Sequence, residues 1–450
     1  MRLSSHLALC LYRAATTVLA PPAALWIKWR RRRDPPYGAR LLELLGWHRV
    51  NLPWSICFHC ASVGEVLSLR PLLRELCARH PKLPLVLTTL TTTGAAAAAQ
   101  IPGITVLYAP LDSPLAVRGL FNAIHPKALF ILDTELWPAL LASAHARHLP
   151  VVIINARMQE RNLRRYLRFP KLSADLLGAR LTAVACVSEA DARRFKTLGA
   201  RSGAVTVCGN LKYDLRPDEQ LFTRTRIYHT EHLKGPVLGA ISTHDGEEEL
   251  LLESYFTLLS TFPDLSLVLV PRHPSGVARA RAFMKRTATP YTLRDQAGAP
   301  ADFKGGILLG ATMGEIEFYF GLCDLIFMGG SLVPHGGHNP LEPAYFSLPV
   351  ITGPWYHNFQ EQFERLIDVG GAYLAPDHRR LCTLVQKLLK DPETLDASGV
   401  KAMEVQQEGR GALRRALELI ERFIPEADGA DRTDRIDGAD EKVTKNQQDV

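Results

Sequence analysis

Residues 324–343 read DLIFMGGSLVPHGGHNPLEP and carry the strongest structural signal in the chain. An apolar run, 324–328, predicts a short buried strand that ends in glycines. The loop after it ends at Asn339-Pro340, where a new helical pattern begins with Leu341. Such a strand-loop-helix turn places unpaired backbone N–H groups around an anion site. We therefore expect Gly330 and Ser331 to contact a phosphate-bearing ligand.

The stretch His59–Glu65 is built on the same plan, with a carboxylate in place of the amide. A strand and the small-residue turn Ala61–Gly64 precede Glu65, which we expect to be the first residue of a helix. A side chain there points into the crevice beyond the strand's carboxyl end. Glu65 could take a proton there, or simply interact with the helix dipole. Ser62 lies beside it, where we expect the acceptor.

Short apolar runs alternate with helical patterns along most of the chain, which is typical of βα units in a parallel, doubly wound sheet. Seven runs precede the polar segment 215–234 and six follow it. The pattern predicts an α/β protein with two Rossmann-like domains facing a cleft. The expected parts are a membrane anchor with its basic flank (1–35), an N-terminal acceptor domain (36–214), a hinge (215–234), a C-terminal donor domain (235–400), a C-terminal helix (401–424) and a disordered tail (425–450).

The formal charge of +7 is confined to the first 40 residues, which hold eight basic side chains and one acidic one. A basic head on a neutral body indicates attachment to a membrane and argues against nucleic-acid binding. The apolar segment Leu7–Ile27 is long enough to span a bilayer. An interfacial helix and a signal peptide are the alternatives. Because basic residues stay in the cytoplasm, the rest of the chain is expected there.

Several motifs are missing, and their absence narrows the chemistry. The chain has no Walker A sequence, no G-x-G-x-x-G, no H-E-x-x-H and no D-x-D. This argues against nucleotide hydrolysis, dinucleotide redox chemistry, zinc hydrolysis and a metal-bridged nucleotide sugar. His335 and His338 could ligate a metal, but the flanking Gly-Gly and Asn-Pro fit a ligand loop better. A group transfer without metal or cofactor remains.

Other polar residues follow strands in both predicted domains. Glu135 follows a strand of the first domain and is either a functional acid or a helix cap. In the second domain, Ser242 or Thr243 could cap a helix or donate to phosphate, and Arg272 with His273 could bind phosphate. Met313-Gly314-Glu315 opens a further helix. Their position at strand carboxyl ends suits a nucleotide site.

A basic, aromatic-containing stretch follows another strand of the first domain. It includes Arg157 and Arg161 and ends at Arg168. This stretch is either a solvated helix face or a surface that binds an acidic, membrane-resident acceptor.

Taken together, these motifs resemble the Kdo transferases, membrane-associated glycosyltransferases that attach 3-deoxy-D-manno-octulosonic acid (Kdo) to the lipid A precursor. The resemblance covers roughly residues 5–424 and includes His59–Glu65, Thr134–Pro138, Asn210–Asp214, Ser242–Glu248, Pro271–His273 and Gly337–Pro343. It implies a GT-B fold, CMP-Kdo as donor, lipid IVA as acceptor, inversion at the anomeric carbon and no metal. It also implies a bacterial inner-membrane enzyme with its catalytic domains on the cytoplasmic face.

The resemblance also assigns roles to individual residues. Glu65 corresponds to the catalytic base, and Glu135 and Lys212 to positions that stabilise the transition state. The positions that contact CMP are Arg272, His273, Met313, Gly314, Glu315, Asn339, Pro340, Leu341 and Glu342. The loop Thr91–Ala95 departs from the family pattern, which affects the expected acceptor contacts and not the donor.

Three alternatives to a Kdo transferase are open from the residues. The first two are GT-B enzymes that use a UDP-sugar, either a lipid-directed transferase or a 2-epimerase. The third is a non-catalytic sugar-binding protein at the membrane. Binding of UDP in preference to CMP would indicate the first two, and CMP binding without turnover would indicate the third.

Overall fold

The structure, a computed structural model, describes residues 2–30, 40–214, 217–299 and 302–425. The chain divides into two compact units. Unit 1 comprises Met1–Leu211 and Gly411–Val450, and unit 2 comprises Lys212–Arg410. The chain therefore leaves unit 1 once and returns to it at its C-terminal end.

Unit 1 contains a seven-stranded parallel sheet in the order β3-β2-β1-β4-β5-β6-β7. Its strands are β1 (Ser55–Cys60), β2 (Leu85–Thr89), β3 (Ile104–Tyr108), β4 (Pro126–Leu132), β5 (Val151–Ala156), β6 (Ala183–Cys186) and β7 (Val205–Val207). Its helices are α1 (Leu3–Arg30), α2 (Leu41–Leu44), α3 (Val63–Arg79), α4 (Thr92–Ala98), α5 (Pro114–Ile124), α6 (Pro138–His145), α7 (Glu160–Tyr166), α8 (Pro170–Leu176), α9 (Glu189–Thr197) and, after unit 2, α18 (Ala412–Glu421).

The strands of unit 1 are apolar on both faces because helices cover both sides of the sheet. In β1, Ile56 and Phe58 belong to one apolar cluster and Cys57 to the other. Phe58 stacks on Phe130 of the neighbouring strand, with ring centroids 5.0 Å apart. Burial on both faces explains why these strands are continuous apolar runs in the sequence.

Unit 2 repeats this architecture with a sheet in the order β10-β11-β9-β8-β12-β13-β14, again all parallel. Its strands are β8 (Val237–Thr243), β9 (Ser266–Pro271), β10 (Thr292–Arg294), β11 (Ile307–Gly310), β12 (Leu325–Met328), β13 (Val350–Thr352) and β14 (Ala372–Leu374). Its helices are α10 (Glu219–His232), α11 (Glu247–Leu259), α12 (Pro274–Arg286), α13 (Ile316–Leu322), α14 (Leu341–Tyr345), α15 (Gln360–Val369), α16 (His378–Leu389) and α17 (Pro392–Glu408).

All thirteen strands expected from the apolar runs are present, and the predicted doubly wound α/β class is confirmed. Strand β10, a three-residue edge strand with one buried position, was not predicted. In both sheets the strand order reverses direction next to the first strand, β1 in unit 1 and β8 in unit 2. A crevice forms at such a point beyond the carboxyl ends of the strands, and most of the candidate residues follow strands there.

Two expected boundaries differ from the structure. The segment 215–234, taken as an irregular hinge, contains the helix α10. The expected C-terminal helix 401–424 is divided between two helices, α17 and α18, because the chain breaks at Gly409–Gly411, where Gly411 has a φ of 90°. The second of them, α18, packs into the apolar cluster of unit 1. Apart from Pro425, the expected disordered tail lies outside the described residues.

Helix α1 is long and apolar enough, by length and composition, to span a membrane. One side of it, however, packs on unit 1. Ser5 donates a hydrogen bond to Asp175 at 2.8 Å, Tyr12 donates to Asp112 at 2.8 Å, and Leu9 joins the apolar cluster. The opposite side exposes a stripe of large apolar residues, Leu3, Leu7, Leu11, Val18, Leu25 and Trp29. This arrangement fits the interfacial alternative better than the spanning helix that the sequence favoured.

Candidate active site

In unit 1 the turn after β1 holds Glu65 in a capping box. Ser62 is the N-cap of α3 and accepts a hydrogen bond from the Glu65 N–H, while the Glu65 carboxylate accepts from the Ala61 N–H at 2.7 Å and from the Ser62 hydroxyl at 2.9 Å. The helix begins at Val63, so Glu65 is its third residue and not its first, as the sequence analysis expected. The reciprocal bonds fix the direction of the carboxylate.

The environment of Glu65 suits proton transfer near neutral pH. Burial is the main reason that the pKa of Glu65 is raised to about 7, and the negative charge of Asp133 contributes to the rise. The Ala61 N–H opposes it. A smaller rise comes from Glu135. A carboxyl group with a pKa near the working pH is well matched to the role of general base.

The second acidic group follows β4, the strand next to β1. Burial raises the pKa of Glu135, the indole of Trp137 opposes this by donating a hydrogen bond at 2.8 Å, and Asp133 raises it again. Asp133 itself has a φ of 57° and accepts a 2.8 Å hydrogen bond from the Asn155 amide. The Asn155 carbonyl accepts from the Leu211 N–H at 3.0 Å. Asn155 therefore connects the carboxyl ends of β4 and β5 to Leu211, where the chain leaves unit 1.

The remaining candidate residues, Arg157, Arg161 and Lys212, lie in three different environments. Arg157 follows β5 and is half-buried, and its carbonyl accepts a hydrogen bond from Thr134, just before Glu135. Arg161 lies on α7 and is exposed. Lys212 opens unit 2, where its ammonium lies over the Phe359 ring, 4.3 Å from the centroid.

In unit 2 the expected anion site at Gly330 and Ser331 is already filled by a carboxylate of the chain. Glu247 is completely buried, and its two oxygens accept hydrogen bonds from the N–H groups of Gly330 (2.6 Å), Ser331 (3.0 Å), Leu332 (2.8 Å) and His244 (2.9 Å). The Ser331 hydroxyl is also used, since it donates to the Met328 carbonyl at 2.6 Å. The expectation of unpaired N–H groups at Gly330 and Ser331 is therefore wrong.

Of the two roles open to Ser242 and Thr243, helix capping and donation to phosphate, the structure contradicts the first. Helix α11 begins at Glu247 and its N-cap is Gly246. Thr243 is buried and its hydroxyl donates to Glu248 at 3.2 Å, while Ser242 adopts a left-handed φ of 58°. These two residues shape the end of β8 and do not cap the helix.

Four histidines, His244, His273, His335 and His338, lie together beside this turn. Of these, only His273 was expected to contact the donor. The His244 ring is stacked on His335 at 3.6 Å, and His244 Nε2 is 2.9 Å from His338 Nε2. His273 meets His244 edge-on at 5.4 Å. Gly330 has a left-handed φ of 70°, and a Cβ there would also make a tight contact of 3.1 Å with the His244 ring. Both features explain why the loop needs glycine there.

The pKa values of His244 and His338 are lowered, so these two histidines are neutral around pH 7. Burial, followed by the neighbouring His335, His273 and Arg272, lowers the pKa of His244 to about 4. Burial and the neighbouring cations likewise lower the pKa of His338 to about 3. The positive potential that helps to lower these pKa values would favour a ligand with negative charge near Arg272.

Glu315 was expected to contact the donor, but its side chain is part of a buried ion pair. It accepts hydrogen bonds from Arg294 Nε at 2.7 Å and Nη2 at 2.9 Å, and from Thr312 at 2.5 Å and the Gly298 N–H at 3.0 Å. Burial raises the pKa of Glu315, but these four donors outweigh it and hold the pKa below its usual value. The neighbouring Met313 is exposed, and Gly314 has a φ of 80° with open space around its Cα.

We expect Glu315→Gln to lower the free energy of unfolding by about 3–5 kcal/mol, because the Arg294 guanidinium would remain buried without its counter-charge. Urea unfolding followed by circular dichroism measures the change. The matched control is Glu317→Gln on the same helix, whose carboxylate accepts one bond at 3.3 Å from the Asp218 N–H. Equal stability of the two variants would contradict a structural role for Glu315.

The turn before α14 brings Asn339 and Glu342 together. The Asn339 amide donates to Glu342 at 3.3 Å, and its carbonyl accepts from the Leu341 N–H at 3.2 Å. Burial is the main reason that the pKa of Glu342 is raised to about 7. Asn339 opposes this rise, and Glu317 contributes to it. Pro340 and Leu341 are buried, and the Leu341 side chain belongs to the core. Asn339 and Glu342 thus supply the polar groups of this turn.

Within the described ranges, no group of three or more His, Cys, Asp or Glu side chains is arranged to hold a metal ion. The alternative in which His335 and His338 ligate a metal therefore has no third ligand in this part of the chain.

The fold is shared with a known nucleotide-sugar enzyme. The UDP-GlcNAc 2-epimerase from Neisseria meningitidis, solved with UDP-GlcNAc bound, matches 82% of this chain and 100% of its own length, with a TM-score of 0.53 and 14% identity. Two doubly wound parallel sheets with polar residues at the strand ends define a protein of the GT-B class.

Sequence relatives then identify the family. The family pattern described as 3-deoxy-D-manno-octulosonic-acid transferase (kdotransferase) matches residues 29–215. The 3-deoxy-D-manno-octulosonic acid transferase of Haemophilus influenzae is 35% identical over 399 residues, covering 87% of this chain and 93% of that protein. The transferase of Bordetella pertussis is 30% identical over 92% of this chain and 99% of its own length. This chain belongs to the Kdo transferase family and is a glycosyltransferase.

Proposed function

We propose that this enzyme transfers Kdo from CMP-Kdo to lipid IVA, the precursor of lipid A, with inversion at the anomeric carbon and without a metal ion. The observation that carries the proposal is Glu65, a carboxylate with a pKa of about 7 that is fixed in direction by its capping box. The family relationship supports Kdo as the transferred sugar.

In the proposed reaction Glu65 takes the proton from a sugar hydroxyl of the acceptor. The resulting oxygen nucleophile attacks the anomeric carbon of Kdo, the bond from that carbon to the phosphate oxygen breaks, and CMP leaves with the bonding electrons. Because attack and departure occur on opposite faces, the configuration inverts. Glu135 and Lys212 are proposed to stabilise charge in the transition state, as the family resemblance implies.

Donor binding is assigned to unit 2. His273, His244 and His338 lie together at the strand ends, and Arg272 is close enough to lower the pKa values of His244 and His338. We propose that they bind the phosphate of CMP-Kdo, with Asn339 and Glu342 as further donor contacts. A single phosphate can be stabilised by such hydrogen-bond donors as it leaves. Gly330 and Ser331 then contribute by shaping the loop, and Glu315 contributes by holding Met313 and Gly314 in place.

The acceptor side is assigned to unit 1, where we propose that Ser62, Arg157 and Arg161 contact lipid IVA. The exposed apolar stripe of α1 and the basic residues that follow it fit attachment to the cytoplasmic face of the inner membrane. An enzyme attached there meets an acylated acceptor that cannot leave the membrane.

The proposal is tested by mass spectrometry of lipid IVA after incubation with the detergent-solubilised full chain, freshly made CMP-Kdo and EDTA. We expect a gain of one or more Kdo units, with the same rate when magnesium replaces EDTA. A gain only with magnesium would overturn the metal-free reaction. No gain in either condition, combined with tight UDP binding, would favour a UDP-sugar enzyme; CMP binding without any gain would favour a non-catalytic protein.

A further inference from the structure

Unit 1 contains a partly enclosed apolar cavity that the reaction described above does not use. Its empty volume, including the space at its mouth, is about 530 Å³. It lies beyond the carboxyl ends of β1, β2 and β3, between these strands and the helices α5 and α6. Most of its lining is aliphatic, including Leu90, Leu111, Leu120 and Leu140. A cavity of this character suits a hydrocarbon chain better than a sugar or a phosphate.

The position of the cavity connects it to both the carboxylates and α1. Trp137 lines the cavity and donates its hydrogen bond to Glu135. Asp112 also lies in the lining, where it accepts hydrogen bonds from Tyr12 of α1 and from the N–H groups of Ala139 and Leu140. The cavity therefore lies between the proposed catalytic edge and the helix that exposes an apolar stripe.

One polar group in the lining lacks a partner. His59 is 5% exposed and hydrogen-bonded through Nδ1 to the Thr88 hydroxyl at 2.9 Å, and that hydroxyl can donate to the Phe58 carbonyl at 3.3 Å. Nδ1 then carries the ring hydrogen. Burial lowers the pKa of His59 to about 4, so the ring is neutral and Nε2 is a lone-pair acceptor. Nε2 has no hydrogen-bond partner in the part of the chain that the structure describes.

We propose that this cavity binds an acyl chain of the acceptor and that a hydroxyl group on the chain donates a hydrogen bond to His59 Nε2. The inference rests on the proposed function, since it names which part of the acylated acceptor unit 1 recognises. An apolar chain matches the aliphatic lining, and a hydroxyl supplies the donor that a buried acceptor atom requires. The apolar stripe of α1 would hold the cavity close to the surface in which such chains are embedded.

The first test fills the cavity. Ala109 is a buried residue in the lining of the cavity. Ala109→Phe should raise the KM for acylated lipid IVA by at least about tenfold, which corresponds to the free energy of burying about two methylene groups. The KM for CMP-Kdo and transfer to a fully deacylated acceptor should not change. Leu115→Phe is the matched control, because this exposed residue of α5 adds the ring outside the cavity. Leu111→Trp, at a half-buried lining position, repeats the test if Ala109→Phe fails to fold.

The second test concerns the hydroxyl group. The wild-type enzyme should prefer an acceptor with hydroxylated chains over one with plain chains by about tenfold, the loss expected when a buried acceptor is left unpaired. His59→Phe should lose this preference. An unchanged KM for acylated acceptor in both cavity-filling variants, or a wild-type enzyme that is indifferent to the hydroxyl, would overturn the inference.

A binding measurement separates this inference from the proposed function. A brominated hydroxy fatty acid in the cavity should quench tryptophan fluorescence in the wild-type protein, and the quenching should be largely lost in Trp137→Phe and in Ala109→Phe. Failure of all Kdo transfer with quenching intact would reject the proposed function alone. Normal Kdo transfer without quenching would reject the acyl-chain cavity alone.

Discussion

Replacing Glu65 with glutamine is expected to reduce turnover by about 10²- to 10⁴-fold, the usual contribution of a general base. Glutamine cannot take the proton of the attacking hydroxyl, whereas its amide still fits the capping box with Ser62 and Ala61. The variant should therefore keep the stability of the wild-type protein and its affinity for CMP-Kdo. Turnover is measured by the mass gain of lipid IVA, and donor affinity by calorimetry with CMP.

This substitution distinguishes the two interpretations of Glu65. If the residue only caps α3, Glu65→Gln should be almost as active as the wild type, and Glu65→Ala should lose about 0.5–2 kcal/mol of stability. If it is the base, both variants should lose turnover, and only the alanine variant should also lose stability. Glu75→Gln on the same helix, whose carboxylate pairs with Arg79 at 3.0 Å, is the matched control.

The pH dependence provides an independent check. The base is active when it is ionised, so kcat/KM should fall about tenfold per pH unit below the pKa of about 7 and level off above it. The same profile should be absent from the residual activity of Glu65→Gln. A wild-type profile that is flat between pH 5.5 and 8, in buffers of about equal ionic strength, would remove Glu65 from the proton transfer.

The fold could be predicted from the sequence because strands buried on both faces are continuous apolar runs. The strand predicted at 324–328, for example, is found as β12, Leu325–Met328. The short β10 carries too little apolar sequence to be recognised. Glu65 was expected to be the first residue of its helix and is the third, although Ser62 and Glu65 form the S-x-x-E pattern that marks Val63 as the start.

The details of the candidate site could not be predicted from the sequence, because they depend on contacts between segments that are far apart along the chain. The glycine loop after β12 was expected to bind the phosphate of a ligand, but its N–H groups bind the carboxylate of Glu247, more than 80 residues earlier in the chain. One feature of the sequence does indicate that Glu247 is buried. The apolar positions Leu251, Tyr255 and Leu258 of α11, read back by helical spacing, place Glu247 on the buried face. The histidine cluster likewise joins residues from three separate loops.

The largest effect on stability is expected from Glu247→Ala. The side chain is the acceptor for four N–H groups, those of His244, Gly330, Ser331 and Leu332. Each buried N–H left without a partner costs about 1–3 kcal/mol. The sum is at least about 4 kcal/mol. A typical domain is stable by only about 5–15 kcal/mol, so this loss is a large part of its free energy of unfolding. Unit 2 should therefore unfold at much lower urea concentration.

The matched control for this prediction is Glu249→Ala, two residues along the first turn of the same helix. Glu249 is half-exposed and pairs with exposed Arg286 at 3.2 Å, so its loss should cost about 0–1 kcal/mol. Both variants remove one carboxylate from the same helix N-terminus, which cancels the helix-dipole contribution. Similar urea midpoints for the two would show that the four bonds to Glu247 do not support the loop. If Glu247→Ala is selectively destabilised, CMP affinity should fall with it, because Gly330 positions the loop against the histidines that are proposed to bind the donor.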